Sequence, residues 1–408
     1  MITCKFCNSK QLKKILNLGS TPLANSYVVK YQDFKFEKSY PLELHLCKKC
    51  KLIQAPHNIS PNKIFVNYDY LSGISSTWTR HCNDFFKKIT KKFKYNEKKD
   101  TIVEIASNDG TLLKFFQKKK FNCIGVEPSK YAASIAKKNK IYTINKFLTP
   151  QLANIIKKRN KNISLVVANN VIAHVLNINS FIKSLSLLCG ESTILTIEFP
   201  HVGNLFKKLQ YDTIYHEHHY YYSLESIQNL LAKYNLYIFD VEKIKIHGGS
   251  FRIYVRKSNK NERKSKRLLT EIKKELEMNL YSSKSLKKLN LDVKKTKINA
   301  IKYLKKLKSN NVKISAYGAA AKGNTFLNYC KINNEIIDYV YDNNKLKQNK
   351  FLPGSRIKIL DPKMIKKNKP DYIIILPWNI KEEVIKTYNF AKTWGCKFLV
   401  LLPKIKKY

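Results

Sequence analysis

From Asp100 onward the chain alternates short apolar runs with helix-like stretches, and this alternation limits the fold more than any other feature. Runs at 101–106, 123–127, 164–169 and 193–199 read as strands, with helices expected near 110–118, 131–138 and 181–188. Strands alternating with helices imply a parallel sheet covered on both faces, so the expected class is α/β. In such sheets ligands bind beyond the carboxyl ends of the strands.

Three of those ends carry polar groups. Glu104-Ile105-Ala106-Ser107-Asn108-Asp109-Gly110 is a strand running into a tight turn; Gly125-Val126-Glu127-Pro128-Ser129 places an acid where it could accept both hydroxyls of a ribose. Asn169-Asn170 ends another strand and precedes Val171-Ile172-Ala173-His174. A dinucleotide would call for a G-x-G-x-x-G turn, so that its pyrophosphate could approach a helix N-terminus. Those glycines are absent, and an adenosyl cofactor without pyrophosphate fits better.

Two further regions flank this core. Residues 256–310 are charged and helix-prone without Pro or Gly and read as a helical connector. A shorter α/β unit follows, with strands at 312–317, 337–341 and 372–376. Its turn Gly318-Ala319-Ala320-Ala321-Lys322-Gly323-Asn324 could hold a phosphate through backbone amides and the Lys322 ammonium, although small residues there also permit close packing. Ahead of the core, the first 75 residues are short segments broken by Gly19, Pro22, Pro41, Pro56 and Pro61, then a helix over 77–94. Cys4-Lys5-Phe6-Cys7 and Cys47-Lys48-Lys49-Cys50 are two C-x-x-C knuckles separated by 39 residues, able to present four thiolates to one Zn²⁺. With every position filled by protein the metal is structural, and His45 and His57 are the alternative ligands. The expected units are therefore 1–75, zinc-binding; 76–256, cofactor-binding; 257–310, connector; and 311–408, C-terminal.

The formal net charge is +48, which invites a nucleic-acid reading. Only seven of the 77 basic residues are Arg, and the lysines spread along the whole chain. Lys lacks the planar fork that reads base edges, so solvated faces are expected and nucleic acid is not an expected partner. No apolar stretch is long enough to span a bilayer and Met1-Ile2-Thr3-Cys4-Lys5 has no signal-peptide core, so a cytoplasmic protein without a membrane partner is expected.

Tyr215-His216-Glu217-His218-His219-Tyr220-Tyr221-Tyr222 gathers three of the nine histidines beside a carboxylate and four phenols. Such groups can supply a general base and its supporting shell. An aromatic strand or a His-x-His metal site are the competing readings of the same residues.

The cysteine knuckles, the 104–110 loop, Asn169–His174, Glu198-Phe199-Pro200-His201, Tyr215–Ser223, His247-Gly248-Gly249-Ser250 and the 317–324 turn occur in an order that resembles the three-domain nucleotide-sugar C-methyltransferases. These S-adenosylmethionine enzymes alkylate a carbon of dTDP-4-keto-deoxysugars. The resemblance implies a zinc-binding module, a Rossmann-like methyltransferase core and a C-terminal Rossmann-like domain. It implies His218 as general base, Glu217 and Tyr215 beside it, His174 from another loop, and Tyr70 (with Tyr68 competing) from the exit of the zinc module. Because Tyr215, Glu217 and His218 do not share one strand face, an irregular loop is required there. Adenosylmethionine is assigned to Glu104, Ala106, Asn108, Asp109, Gly110, Glu127, Pro128, Asn169 and Asn170, and the sugar nucleotide to Lys322, Tyr317, Ser250 and Arg252. Ala106 stands where the family usually has Gly; its methyl could crowd the cofactor or demand an ordinary backbone conformation, but it is expected to be tolerated, because Gly110 remains and Ala is the smallest replacement.

The chemistry implied is removal of a proton beside a ketone, enolate stabilisation and methyl transfer. The substrate is expected to be dTDP-linked and the protein a monomer or small homo-oligomer. Two alternatives remain. A zinc-ribbon nucleic-acid-binding protein would cluster Lys on one face and bind in a salt-sensitive way, whereas an O- or N-methyltransferase would not need the base cluster.

Overall fold

The computed structural model describes residues 2–57, 59–60, 71–257 and 263–408. Strand β1 (Leu12–Pro22) pairs antiparallel with β2 (Ser39–Cys47), which pairs with β3 (Ile53–Gln54). Leu42, Leu44 and Leu46 alternate along β2 and are all buried, the period-two pattern of a half-covered strand. Gly19 does not break β1: with φ +85° it sits in the register shift between Asn17 and Ser20, a bulge that the strand runs through. Helix α1 (Ser76–Lys92) follows, its first turn capped by the Ser75 hydroxyl.

The core sheet begins with β4 (Thr101–Ile105), β5 (Asn122–Val126) and β6 (Thr143–Ile144), connected through α2 (Leu113–Gln117) and α3 (Lys130–Lys138). After α4 (Pro150–Arg159) it returns through β7 (Ile163–Asn169), α5 (Ile178–Leu188) and β8 (Ile194–Pro200). A short helix α6 (Gly203–Lys207), β9 (Tyr220–Tyr221) and α7 (Leu224–Ala232) lead to the β10 (Leu236–Ile244) and β11 (Ser250–Lys257) hairpin. The strand order is β10-β11-β8-β7-β4-β5-β6, parallel from β8 to β6. All five residues of β4 are buried, as expected of a strand covered on both faces. The order reverses at β4, so the crevice opens beyond the ends of β4, β5 and β7.

The expected connector is two helices, α8 (Lys266–Glu277) and α9 (Ser283–Lys308). Leu286, Leu289, Val293, Ala300 and Leu304 form the buried stripe of α9, which packs beside β1. The C-terminal sheet runs β14 (Lys358–Leu360), β13 (Tyr339–Tyr341), β12 (Ile314–Tyr317), β15 (Tyr372–Ile375), β16 (Lys397–Val400) and β17 (Lys406–Lys407). Its order reverses at β12, at whose end lies the Gly318–Ala320 turn into helix α10 (Ala321–Cys330). Gly318 has φ +91°, and a Cβ there would lie 2.5 Å from Pro377, so glycine alone fits this turn. Strand β9 does not belong to the core sheet. It pairs with β3, so the run from Tyr215 continues as the fourth strand of the N-terminal sheet. Among the described residues no helix is long and apolar enough to cross a membrane.

Candidate active site

The residues from Ile214 to His219 form a turn rather than a strand, closed by a bond from the His218 amide to the Tyr215 carbonyl at 2.8 Å. This irregularity turns Tyr215 back over His218: their rings lie 4.0 Å apart and the phenol oxygen is 2.9 Å from Nε2. Nδ1 of His218 faces the Thr213 carbonyl at 2.8 Å. A carbonyl only accepts, so neutral His218 carries its proton on Nδ1 and Tyr215 donates to the Nε2 lone pair. His174, from the loop after β7, stacks edge-on with its ring centroid 4.6 Å from that of His218, and its Nδ1 lies 3.0 Å from the Glu217 carbonyl. Burial holds His174 down to about 4, which keeps it neutral. Glu217 is 5 % exposed and accepts from the side-chain amide of Asn25 at 2.5 Å. Tyr70 and Tyr68 lie outside the described residues.

The remaining histidines of the run point elsewhere. His216 and His219 pack with His57, at ring separations of 5.1 Å and 4.8 Å from it, behind the turn. Burial pushes His219 down to about 3, with Lys5 adding to the effect. Tyr220 and Tyr222 anchor the backbone through bonds to the Leu176 and Ile172 carbonyls.

At the core crevice, Glu127 accepts from the amides of Asn108 at 2.8 Å and Ser129 at 2.7 Å, so Pro128 sits inside a closed corner. Asn108 and Asp109 also hold the segment after residue 70: Asn108 accepts from the Ser72 amide at 2.8 Å and Asp109 from the Gly73 amide at 2.7 Å. Gly110 and Asn108 have φ +76° and +50°. Ala106 does too, at +57°, so it does not impose an ordinary backbone conformation; the loop keeps its left-handed shape and Ala carries the strain. Glu104 Oε2, Ser107 Oγ, Asn169 Oδ1 and Asn170 Oδ1 are buried without a hydrogen-bond partner among the described residues. Burial, together with the neighbouring Asp109, Glu127 and Glu198 carboxylates, raises Glu104 well above its ordinary range. A concentration of carboxylates with orphaned acceptors suits a ligand that brings cationic and N–H or O–H groups, as adenosylmethionine does.

The residues expected to meet the sugar nucleotide separate into two kinds. The Lys322 ammonium is buried without a hydrogen-bond partner among the described residues, 5.2 Å from the Trp378 ring, and Trp378 donates to Asp212 at 2.6 Å. Burial raises Asp212 to about 6 against the pull of Lys322 and Trp378. Tyr317 lies nearby in sequence on β12, its hydroxyl accepting from Asn343 at 3.0 Å. Arg252, by contrast, is 2 % exposed and engaged with Glu198 at 2.5 Å and Glu242 at 3.3 Å. Glu198 also meets His81 at 2.9 Å; burial alone would raise this carboxyl, but Arg252 and His81 hold it below its ordinary range. Ser250 is buried and bonds to the Ile246 carbonyl at 3.3 Å. Asn25, Asp212, His81 and Trp378 escaped the sequence reading of the site, since each is distant in sequence from what it touches.

In the N-terminal module the sulfurs of Cys4 and Cys50, and of Cys7 and Cys47, lie 3.6 Å apart, and all four fall within 4.8 Å of one another. Tetrahedral thiolates about 2.3 Å from zinc would stand about 3.8 Å apart. The quartet fits the ion.

Three family models tile the chain: a zinc binding domain over residues 4–65, a methyltransferase domain over 78–241 and a C-methyltransferase C-terminal domain over 245–403. C-methyltransferase NovU of Streptomyces niveus is 26 % identical over 401 residues, 98 % of this chain and 95 % of that protein. Over nearly its whole length the chain is similar to a C-methyltransferase, and its three matched domains follow the order of the three-domain C-methyltransferases. Solved structures similar to part of this chain include magnesium protoporphyrin IX methyltransferase of Synechocystis PCC 6803, at 12 % identity, 44 % and 79 % coverage of the two chains and a TM-score of 0.35. Another is a methyltransferase of Anabaena variabilis, at 16 % identity, 48 % and 89 % coverage and a TM-score of 0.36. The cysteine quartet, inside the segment matched by the zinc binding domain, is a structural zinc site.

Proposed function

We propose that the chain is a C-methyltransferase that moves a methyl group to the carbon beside the 4-keto group of a nucleotide-linked deoxysugar, through an enolate made by His218. The observation that carries the reading is the Thr213 carbonyl on Nδ1, which leaves the Nε2 lone pair as the proton acceptor. A ketone acidifies the neighbouring C–H. His218 takes that proton, the C–H electron pair passes into the enolate, and the imidazolium stays paired with Thr213. Tyr215, within ring contact of His218, would donate to the developing oxyanion, while His174, its Nδ1 proton directed to the Glu217 carbonyl, packs against the base and holds its ring in place. Glu217 supports the turn that carries them. Adenosylmethionine, when bound, supplies an electrophilic methyl group; Glu104, Glu127, Asn169 and Asn170 would hold it, with the Ala106–Gly110 loop as its cradle. Lys322 would face the diphosphate of the sugar nucleotide, whose burial supplies the orienting contact.

The test is incubation with methyl-labelled adenosylmethionine and a panel of dTDP-4-keto-deoxysugars, comparing wild type with His218→Ala. Label is expected on the ring carbon next to the ketone, and His218→Ala is expected to lose about 10²- to 10⁴-fold in turnover with cofactor binding retained. Label on oxygen or nitrogen, or undiminished turnover in His218→Ala, would overturn the enolate reading.

A further inference from the structure

Glu217 is buried on the catalytic turn, yet the group that fixes its Oε1 comes from the N-terminal module. The side-chain nitrogen of Asn25 donates to it at 2.5 Å across 192 residues of sequence. The other end of the same amide is also engaged, because Asn25 Oδ1 lies 3.0 Å from the Tyr27 hydroxyl. With the oxygen turned to the phenol, only the nitrogen can face the carboxylate, so Tyr27 sets the orientation of Asn25.

Tyr27 has a second acceptor. Its hydroxyl lies 2.7 Å from the Ala319 carbonyl, on the turn that ends β12 at the C-terminal switch point. Lys347 donates to that same carbonyl at 2.8 Å, while the Ala319 amide donates to Asp342 at 2.8 Å, so the turn is held from both sides. A buried hydroxyl has one proton for two acceptors. Removing it would loosen the Asn25 amide and the interdomain contact together.

We infer that Asn25 and Tyr27 are positioning residues that orient Glu217 and tie it to the C-terminal turn beside which the sugar nucleotide is placed. The inference rests on the enolate reading of the 215–218 turn. The N-terminal module thus contributes to the site through this polar chain as well as through its metal. Loss of the Asn25 donor leaves the Glu217 oxygen buried with one contact fewer, which alters how the carboxylate supports the turn during proton transfer.

The test uses the full-length zinc-loaded enzyme with a dTDP-4-keto-6-deoxyhexose and compares Tyr27→Phe, Asn25→Ala and the double variant. Each single change is expected to lower kcat about tenfold with the adenosylmethionine Kd within twofold, to displace the acid limb of the kcat profile, and to be non-additive with the other. Tyr27→Phe removes one oxygen and is the variant least exposed to misfolding; its thermal unfolding is measured in parallel. Wild-type kcat in both variants, or additive losses with an unmoved pH profile, would overturn the inference. His218→Ala separates the two levels. If that variant is as active as wild type, the enolate reading fails; if it is inactive while Asn25→Ala is normal, the positioning role alone fails.

Discussion

The Tyr215 hydroxyl stands 2.9 Å from Nε2 of His218, on the side of the ring opposite the Thr213 carbonyl. In the proposed mechanism a phenol in that place serves twice, shielding the lone pair of the resting base and offering a proton to an oxygen that approaches it. Tyr215→Phe is therefore expected to lower kcat by about 10- to 10²-fold, in the range of a lost oxyanion donor, while KM for the sugar nucleotide moves by less than threefold. Steady-state kinetics on a 4-keto substrate decide this, and unchanged kcat would reduce the contact to packing.

Ala106 holds a left-handed backbone at φ +57° where glycine would be unstrained. Ala106→Gly is expected to raise stability by about 0.5–1 kcal/mol and to leave adenosylmethionine binding equal or tighter. Thermal unfolding and calorimetric titration provide the check; a lower Tm would mean that the loop does not carry this strain.

Arg252 and Lys322 should behave in opposite ways. Arg252 is locked between Glu198 and Glu242 and its removal strands a buried carboxylate, so Arg252→Met is expected to cost about 3–5 kcal/mol of stability. Lys322 is buried without a hydrogen-bond partner among the described residues, so Lys322→Met is expected to fold as well as wild type while raising KM for the sugar nucleotide about tenfold. Denaturant unfolding and kinetics on both variants separate them, and the reverse assignment would exchange their roles.

Much of the architecture was legible in the residues because strands buried on both faces are nearly continuous apolar runs, as at 101–105 and 163–169. The two-residue β6 and the hairpin of β10 and β11 were not, since neither a two-residue strand nor an edge hairpin leaves a comparable pattern. The site divided in the same way. The 215–222 run drew notice through density of titratable groups, but its partners at Asn25 and Thr213 are chosen by tertiary placement. Nor does composition distinguish an arginine that meets a ligand from one that neutralises a buried acid, which is the position of Arg252.

His219 is fully buried and held at about 3 by burial, whereas in the unfolded chain it would titrate near about 6.5. The unfolded state therefore takes up the proton first. Stability from this group is complete above pH 6.5 and is lost as pH falls from there toward 3, amounting to about 2 kcal/mol at pH 5. His219→Leu is expected to flatten the decline of stability between pH 6.5 and 5, measured by denaturant titration at each pH. An unchanged slope would show that the proton is accommodated in the native fold.

Zinc removal should reach the chemistry as well as the N-terminal sheet. Cys47 ends β2, and β3, which begins six residues later at Ile53, carries Tyr220 and Tyr221 as its far neighbours. Chelation, or Cys47→Ser, is expected to lower Tm and abolish methyl transfer together, with recovery of both on zinc return to the chelated wild type. Full activity of a metal-free protein would confine the ion to a peripheral role.

The pairing of β3 with β9 has a consequence for how this polypeptide can be divided or recombined. A cut placed between the N-terminal module and the core would leave an open strand edge on each fragment, exposing backbone groups that now satisfy one another. Grafting the module from a relative would also transplant the template on which the downstream segment is registered. The heritable unit is thus the whole arrangement, and changes in the first sixty residues are expected to be matched by changes some hundred and sixty residues later.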